Sequence, residues 1–386
     1  MTERTLSRLL RTRSLEAGAL GVVAAGLLVA GAVLDPRQAF AGLLTAALFG
    51  LMLALGAAVF AAIQGVSGAR WWAPVYGVTA SVAGTFAVPA ALLGLTLLFG
   101  IPALYAWAQP EAASNHLLAA KAVWLNRPLF LARALLILLV WAGVIGLLRD
   151  RLRALGSGEQ GAARRFTRTS VAFLLVLGPT ISVAFWDWVM SLEPEWYSTM
   201  FAVYGFAGTF LGGIATVTAV ALFLDARGGL PQPLSAATRH DLGKLLFGFA
   251  TFWAYIWFCQ YLLIWYSNIP EETPYYALRF QGGWTALFWL NPVVSFLVPF
   301  VVLLGASAKK RPTALGHAAL VVILGRWLDA FVMVAPSAGP LPAIPFYAVA
   351  ASLLVLAGMA LAFDRLWLRG RGVARDAPLA GEAALS

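Results

Sequence analysis

The chain has 386 residues, 61% of them hydrophobic and only 11% charged, with a formal net charge of +10. Its single cysteine rules out an internal disulfide and leaves no cysteine cluster to hold iron–sulfur or zinc. Apolar runs of about 20 residues, enough to cross a hydrocarbon core as a helix, recur from end to end and exclude an ordinary soluble domain.

In lipid only helices and closed barrels satisfy the backbone, and these runs lack the alternation of barrel strands. The fold class is therefore an all-α polytopic membrane protein. Ten spans are predicted in chain order, at 17–34, 40–63, 72–100, 129–148, 170–190, 200–224, 242–267, 283–305, 313–335 and 343–363. The first has no clear small-residue cleavage site after it, so it reads as a retained helix rather than a signal peptide. The third is too long for a straight crossing; either Pro89 kinks it or its end turns along the surface. The domain reading is a basic tail at 1–16, one membrane domain at 17–365, and a flexible tail at 366–386.

Of the 27 Lys and Arg, only Arg37, Lys121, Arg127 and Arg279 fall in loops across the membrane from the N-terminus. Arg133 and Arg326 fall within spans, and the rest cluster on the N-terminal side, from Arg4, Arg8, Arg11 and Arg13 to Arg365, Arg369, Arg371 and Arg375. The positive-inside rule then puts both termini in the cytoplasm. The positive net charge is topological and is no footprint of nucleic-acid binding.

Arg133 stands about one turn into span four. Span five leaves the membrane through "FWDWVMSLEPEWYSTMF" (185–201), where Asp187, Glu193 and Glu195 lie among aromatic residues. Trp186, Trp188, Trp196 and Tyr197 read as an interfacial aromatic belt. Asp187 precedes the turn, so its charge needs a partner, and Arg133 is the candidate. Glu193 and Glu195 are either plain loop charges or the outward continuation of a proton path from Asp187.

Span seven begins at "RHDLGK" (239–244). Asp241 there suits the positive end of a helix, or His240, Asp241 and Lys244 form the mouth of an inward half-path. Further along, Trp253, Trp257, Gln260, Ile264 and Asn268 recur at helical spacing, so Gln260 projects from an aromatic stripe and needs an internal partner or a ligand. In span nine Arg326 and Asp329 share one helical face and can pair. Intramembrane charges of this kind mark a functional path, though a purely structural salt bridge is the competing reading. A quinol site, which needs an apolar slot and a proton acceptor, could be built from Asp187 with Trp186, or from Gln260 with Tyr261 and Trp265. The histidines, His116, His240 and His317, do not offer a convincing pair for a transmembrane haem, and no phosphate-binding loop is present. No cofactor is expected on this chain.

Two stretches, "DWVMSLEPEWYSTMFAVYGFAG" (187–208) and "DLGKLLFGFATFWAYIWFCQYLLIWYSNIPEETPYY" (241–276), resemble the second NrfD-like membrane subunit, the ActF type, of bacterial alternative complex III. The span pattern extends the resemblance over roughly residues 15–365. It implies two four-helix bundles with two flanking helices, in a quinol:cytochrome c oxidoreductase of the respiratory chain. It implies partners too: a second NrfD-like subunit, an iron–sulfur subunit and c-type cytochrome subunits, which would carry the haem c and the clusters. This chain would then be a non-redox-centre subunit in the bacterial inner membrane, concerned with proton transfer and able either to bind quinone or to leave it to the sister subunit; the motif alone leaves both open. A secondary transporter and a purely structural scaffold are the readings from other classes, and ten spans with buried charges permit each.

Overall fold

Several helix starts are legible in the residues that cap them. Asp35 accepts the Gln38 N–H at 3.3 Å just before Pro36, Asn126 accepts that of Leu129 at 3.1 Å, and Ser235 accepts that of Thr238 at 3.0 Å. Each satisfies an orphan donor of a first turn, and proline near the start loses no bond there. The computed structural model describes residues 19, 21–340 and 344–374, with side chains up to residue 368. The basic tail at 1–16 and the last residues after 374 lie outside the described residues.

Nine helical segments among the described residues are long and apolar enough to cross a membrane. The helices are α1 (Gly21–Leu34), α2 (Pro36–Val66), α3 (Tyr76–Gly84), α4 (Ala87–Leu104), α5 (Arg127–Gly156) and α6 (Ala162–Trp188). They continue as α7 (Met200–Asp225), α8 (Ala236–Ser267), α9 (Trp284–Val302), α10 (Pro312–Val334) and α11 (Ile344–Ala374), with α3 and α4 together making one crossing. The first predicted span, 17–34, corresponds to α1, which over its described residues Gly21–Leu34 is apolar but too short to count among the nine. The last helix runs to Ala374, well past the predicted start of the tail at 366.

The helices α2 to α6 pack as one four-crossing bundle and α7 to α10 as a second, while α11 lies along α2 on the outside of the first bundle. Where α2 and α7 cross, the two bundles join. A Cβ at Gly56 would lie 2.0 Å from the Thr209 carbonyl oxygen, and one at Gly213 would lie 1.9 Å from the Gly56 carbonyl carbon. Only glycine permits this backbone-to-backbone approach, which is how helices associate where lipid removes any hydrophobic driving force. Within their apolar windows α2 is 94% buried and α7 83%, against 28% for α8, so the crossing pair is the central layer and α8 faces lipid.

Two departures from regular helix have local causes. Proline crowds the carbonyl four residues earlier, so Pro89 breaks the third crossing at Thr85–Phe86 rather than bending it at Pro89 itself. Arg149 of α5 closes that break, donating from Nε to the Ala80 carbonyl at 2.8 Å beside Gly84. In α9, Pro292 precedes a π-helical turn at Val293–Leu297. That bulge matters below, because Asn291 and Ser295 on its inner side are both buried.

The α2–α7 crossing yields a test. Gly213→Ala places a methyl group in the opposite backbone, where relief needs helix separation, so the cost should exceed the roughly 1–3 kcal/mol of ordinary overpacking. We expect sharply reduced recovery of monodisperse protein after detergent extraction. Recovery and melting temperature equal to wild type would show that the crossing is looser than described.

Candidate functional site

Asp187 ends α6 and faces α5, where Arg133 meets it: Nε donates to Asp187 Oδ2 at 2.7 Å, as the sequence predicted. The Trp124 indole N–H donates to the other carboxylate oxygen at 2.8 Å. Arg133 also donates to the Trp124 carbonyl at 3.0 Å and lies over its ring, 4.1 Å from the centroid. The Asp187 side chain is only 1% exposed and that of Arg133 18%. Beneath the pair, the Tyr105 hydroxyl donates to the Trp188 carbonyl at 2.8 Å, and burial followed by the charge of Asp187 pushes its pKa well up. Among the described residues each carboxylate oxygen of Asp187 accepts one side-chain hydrogen bond, which leaves it a lone pair.

A second pair stands in the middle of the second bundle. Arg326 Nη1 donates to Asp329 Oδ2 at 2.8 Å, with the side chains 0% and 1% exposed. The Trp253 indole N–H reaches the same oxygen at 3.3 Å, while Asn291 Nδ2 at 2.7 Å and the Tyr204 hydroxyl reach the other. Ser295 holds Asn291 through its Oδ1 at 2.9 Å. All four lone-pair positions of Asp329 are thus occupied by donors, the arrangement that suits an ionised, acceptor-only carboxylate. The Arg326 guanidinium lies 4.1 Å from the Trp253 ring centroid, in room left by Gly208 and Gly212 of α7. Its Nε and Nη2 make no hydrogen bond among the described residues.

At the end of this bundle Arg279, the last residue of a short helix at Pro274–Arg279, is 0% exposed, although it read in the sequence as one more outer cation. It donates to the Val332 and Met333 carbonyls at 3.0 and 2.8 Å, capping the C-terminus of α10 as a cation does best. Its Nη1 meets Glu193 at 3.0 Å, and Ser337 donates to the same glutamate oxygen at 2.9 Å. Burial acts to lower the Arg279 pKa, but the glutamate and the neighbouring tyrosines outweigh it and hold the value above normal. Glu193 is therefore a lock between the 189–199 turn and α10. Glu195 points elsewhere, exposed and bonded to Asn115 at 2.8 Å. No hydrogen bond joins either glutamate to Asp187 among the described residues, so the predicted outward chain of three acids is not assembled.

The predicted aromatic belt also divides. Tyr197 is exposed, but Trp188 and Trp196 are buried: Trp188 meets Trp141 edge to face, and Trp196 stacks on Tyr275 at 4.2 Å while donating to the Glu272 carbonyl. Trp186 is half-buried, and its buried indole nitrogen has no hydrogen-bond partner among the described residues. The two exit turns thus pack on each other. On the stripe of α8, Trp253, Trp257, Gln260 and Ile264 are buried as predicted, whereas Asn268 leaves the stripe to end the helix at φ 48°. Tyr261 packs within a cluster of Trp257, Tyr276, Phe280, Phe288 and Trp289. Trp265 is 62% exposed on the outside of the bundle, so it does not share a pocket with Gln260. At the other membrane face, Ser235 caps α8 in place of Asp241, which lies in the second turn and pairs with Lys244 at 2.6 Å. His240 beside them is partly exposed. These three stand apart from both buried pairs.

Tyr204, Asn291, Trp124 and Arg279 complete these networks and were not singled out from the sequence. Asn291 had a signal, an amide inside an apolar run directly before a proline; the other three had none. No group of three or more metal-binding side chains occurs among the described residues. No protein-family model matches the chain, and no curated protein is significantly similar to it. The family reading therefore stands on the quoted stretches themselves.

Removing one member of a buried ion pair leaves an uncompensated charge, at a cost of roughly 3–5 kcal/mol. Asp329→Asn should therefore lower the melting temperature and the yield of folded protein, with Arg326→Gln similar in effect. Normal stability in both would mean that the pair is not the anchor its geometry describes.

Proposed function

We propose that this protein is a cofactor-free subunit of a bacterial respiratory quinol:electron-acceptor oxidoreductase of the alternative complex III type, with proton transfer at Asp187 as its chemistry. We place the arginine-rich loops in the cytoplasm and the Glu193 side outside. The observation that supports the proton role is the difference between the two aspartates. Asp329 has no free lone pair, so protonating it breaks a hydrogen bond. Asp187 can accept a proton and keep both of its donors, and it lies at the end of its helix beside a partly exposed arginine. A buried acid balanced by a neighbouring cation is the usual form of a proton site. Quinone binding beside Trp186 and Asp187 belongs to the same reading, with iron–sulfur and haem c centres on the partner subunits.

A secondary transporter is the second reading, and the interrupted crossing at Thr85–Phe86 favours it, because transporters place substrate at broken helices. Against it, the Arg149 guanidinium already fills the space beside the break, against Gly84 and bonded to the Ala80 carbonyl. Purification under mild detergent separates the readings. The respiratory reading requires co-purifying subunits with haem and iron–sulfur spectra; a protein isolated alone and active in solute uptake overturns it.

Asp187→Asn tests the proton role, because the amide keeps much of the shape and cannot ionise. We expect an assembled complex with slowed quinol oxidation or weakened proton release. Wild-type turnover and proton release would make Asp187 structural.

A further inference from the structure

Trp124 touches both members of the Arg133–Asp187 pair through three different groups. Its indole N–H donates to Asp187 Oδ1 at 2.8 Å, and its carbonyl accepts from Arg133 Nη2 at 3.0 Å. Its ring lies 4.1 Å from the guanidinium carbon. The residue stands in the turn that enters α5, and that turn is braced. Asn126, the cap of α5, donates back to the Ala122 and Val123 carbonyls at 3.0 and 3.1 Å. The short helix before it, His116–Lys121, is tied to the 189–199 turn at both ends, by Asn115 to Glu195 and by Lys121 to the Pro194 carbonyl.

Nε and Nη2 of an arginine form one edge, whose parallel N–H groups can grip both oxygens of a single carboxylate. At Arg133 that edge is divided. Nε goes to Asp187 Oδ2 at 2.7 Å, while Nη2 goes to the Trp124 carbonyl. The oxygen that the fork would otherwise hold, Oδ1, takes the neutral indole N–H instead. A hydrogen bond from an ionised donor is roughly twice as strong as one from a neutral donor, so the exchange holds the carboxylate less firmly as an anion. The other ionisable groups of these turns are committed elsewhere: Tyr105 donates to the Trp188 carbonyl, Glu195 accepts from Asn115, and Glu193 pairs with Arg279. We propose that Trp124 is a positioning residue of the Asp187 proton site. It splits the arginine fork, so that Asp187 meets the cation at one point and stays free to take up a proton. This role rests on the proton reading of Asp187 given above and adds what keeps that acid from being clamped.

Trp124→Phe in the purified membrane assembly tests this, because phenylalanine keeps the ring and the carbonyl and removes only the N–H. Trp124 is 50% exposed, so the change is mild for the fold. Infrared difference spectra across a pH titration read Asp187 directly, through the carboxylic-acid band that Asp187→Asn abolishes. In Trp124→Phe the fork should turn onto both oxygens and move the midpoint of that band to lower pH by roughly one unit, a tenfold change in proton affinity. An unmoved midpoint makes Trp124 a packing residue and overturns the proposal. A midpoint moved to higher pH means that the indole only donates to the anion, and overturns it as well. In an Arg133→Lys background, whose ammonium has no fork, the acid shift should vanish; its persistence there would exclude the guanidinium as its cause and overturn the proposal. Absence of the band from wild-type protein at every pH would instead sink the proton role of Asp187, and the role of Trp124 with it. A band that is present but unmoved sinks the role of Trp124 alone.

Discussion

The hydrocarbon core supplies no water, so every charge placed inside it must be neutralised and hydrogen-bonded by the chain itself. The second bundle is built around that requirement at Asp329. Its four donors come from α7, α8, α9 and α10, so one carboxylate ties together every helix of the bundle. The π-helical turn of α9 lies beside Asn291, one of these donors, and the glycines of α7 leave space for the Arg326 stem. Features that look like defects in single helices, a proline bulge and a glycine run, sit where the shared charge needs them.

The first bundle meets the same requirement more loosely. Asp187 binds one arginine and one indole and lies at the end of its helix, where water is near. The contrast has a physical basis: a carboxylate with every lone pair used is stable as an anion and inert, whereas one with spare lone pairs can change protonation state without breaking its contacts. Two aspartates that look alike in the sequence thus divide into an anchor and a candidate acid. The exit turns follow the same logic, with Glu193 and Arg279 committed to each other and to the end of α10.

At the α2–α7 crossing no side-chain hydrogen bond joins the two bundles among the described residues; a polar contact between them, Arg37 donating to the Ser337 carbonyl at 2.7 Å, lies at the start of α2. The Gly56–Gly213 contact brings backbones together directly, and dispersion between close surfaces supplies the attraction. The outer helices then need little burial of their own, and the exposed apolar side chains of α5 and α8, such as Leu139, Leu263 and Tyr255, are those that lipid can cover.

The sequence by itself determined the fold class, the positions of most crossings and the two pairings of arginine with aspartate. Those rest on one-dimensional signals: the length of apolar runs, proline and capping residues, and spacing along a helix. The Arg326–Asp329 pair was legible because both residues lie on one turn, and Arg133 was found because it and Asp187 stand at matching depths on neighbouring spans. Tertiary structure alone decided that Arg279 is buried, that Trp188 and Trp196 turn inward, that Glu193 is locked away from Asp187, and that Asp329 is saturated while Asp187 is not. The reason is that these depend on which helix faces meet across the bundle, and donors at Tyr204, Trp253 and Asn291 converge on one oxygen pair from positions far apart in the chain.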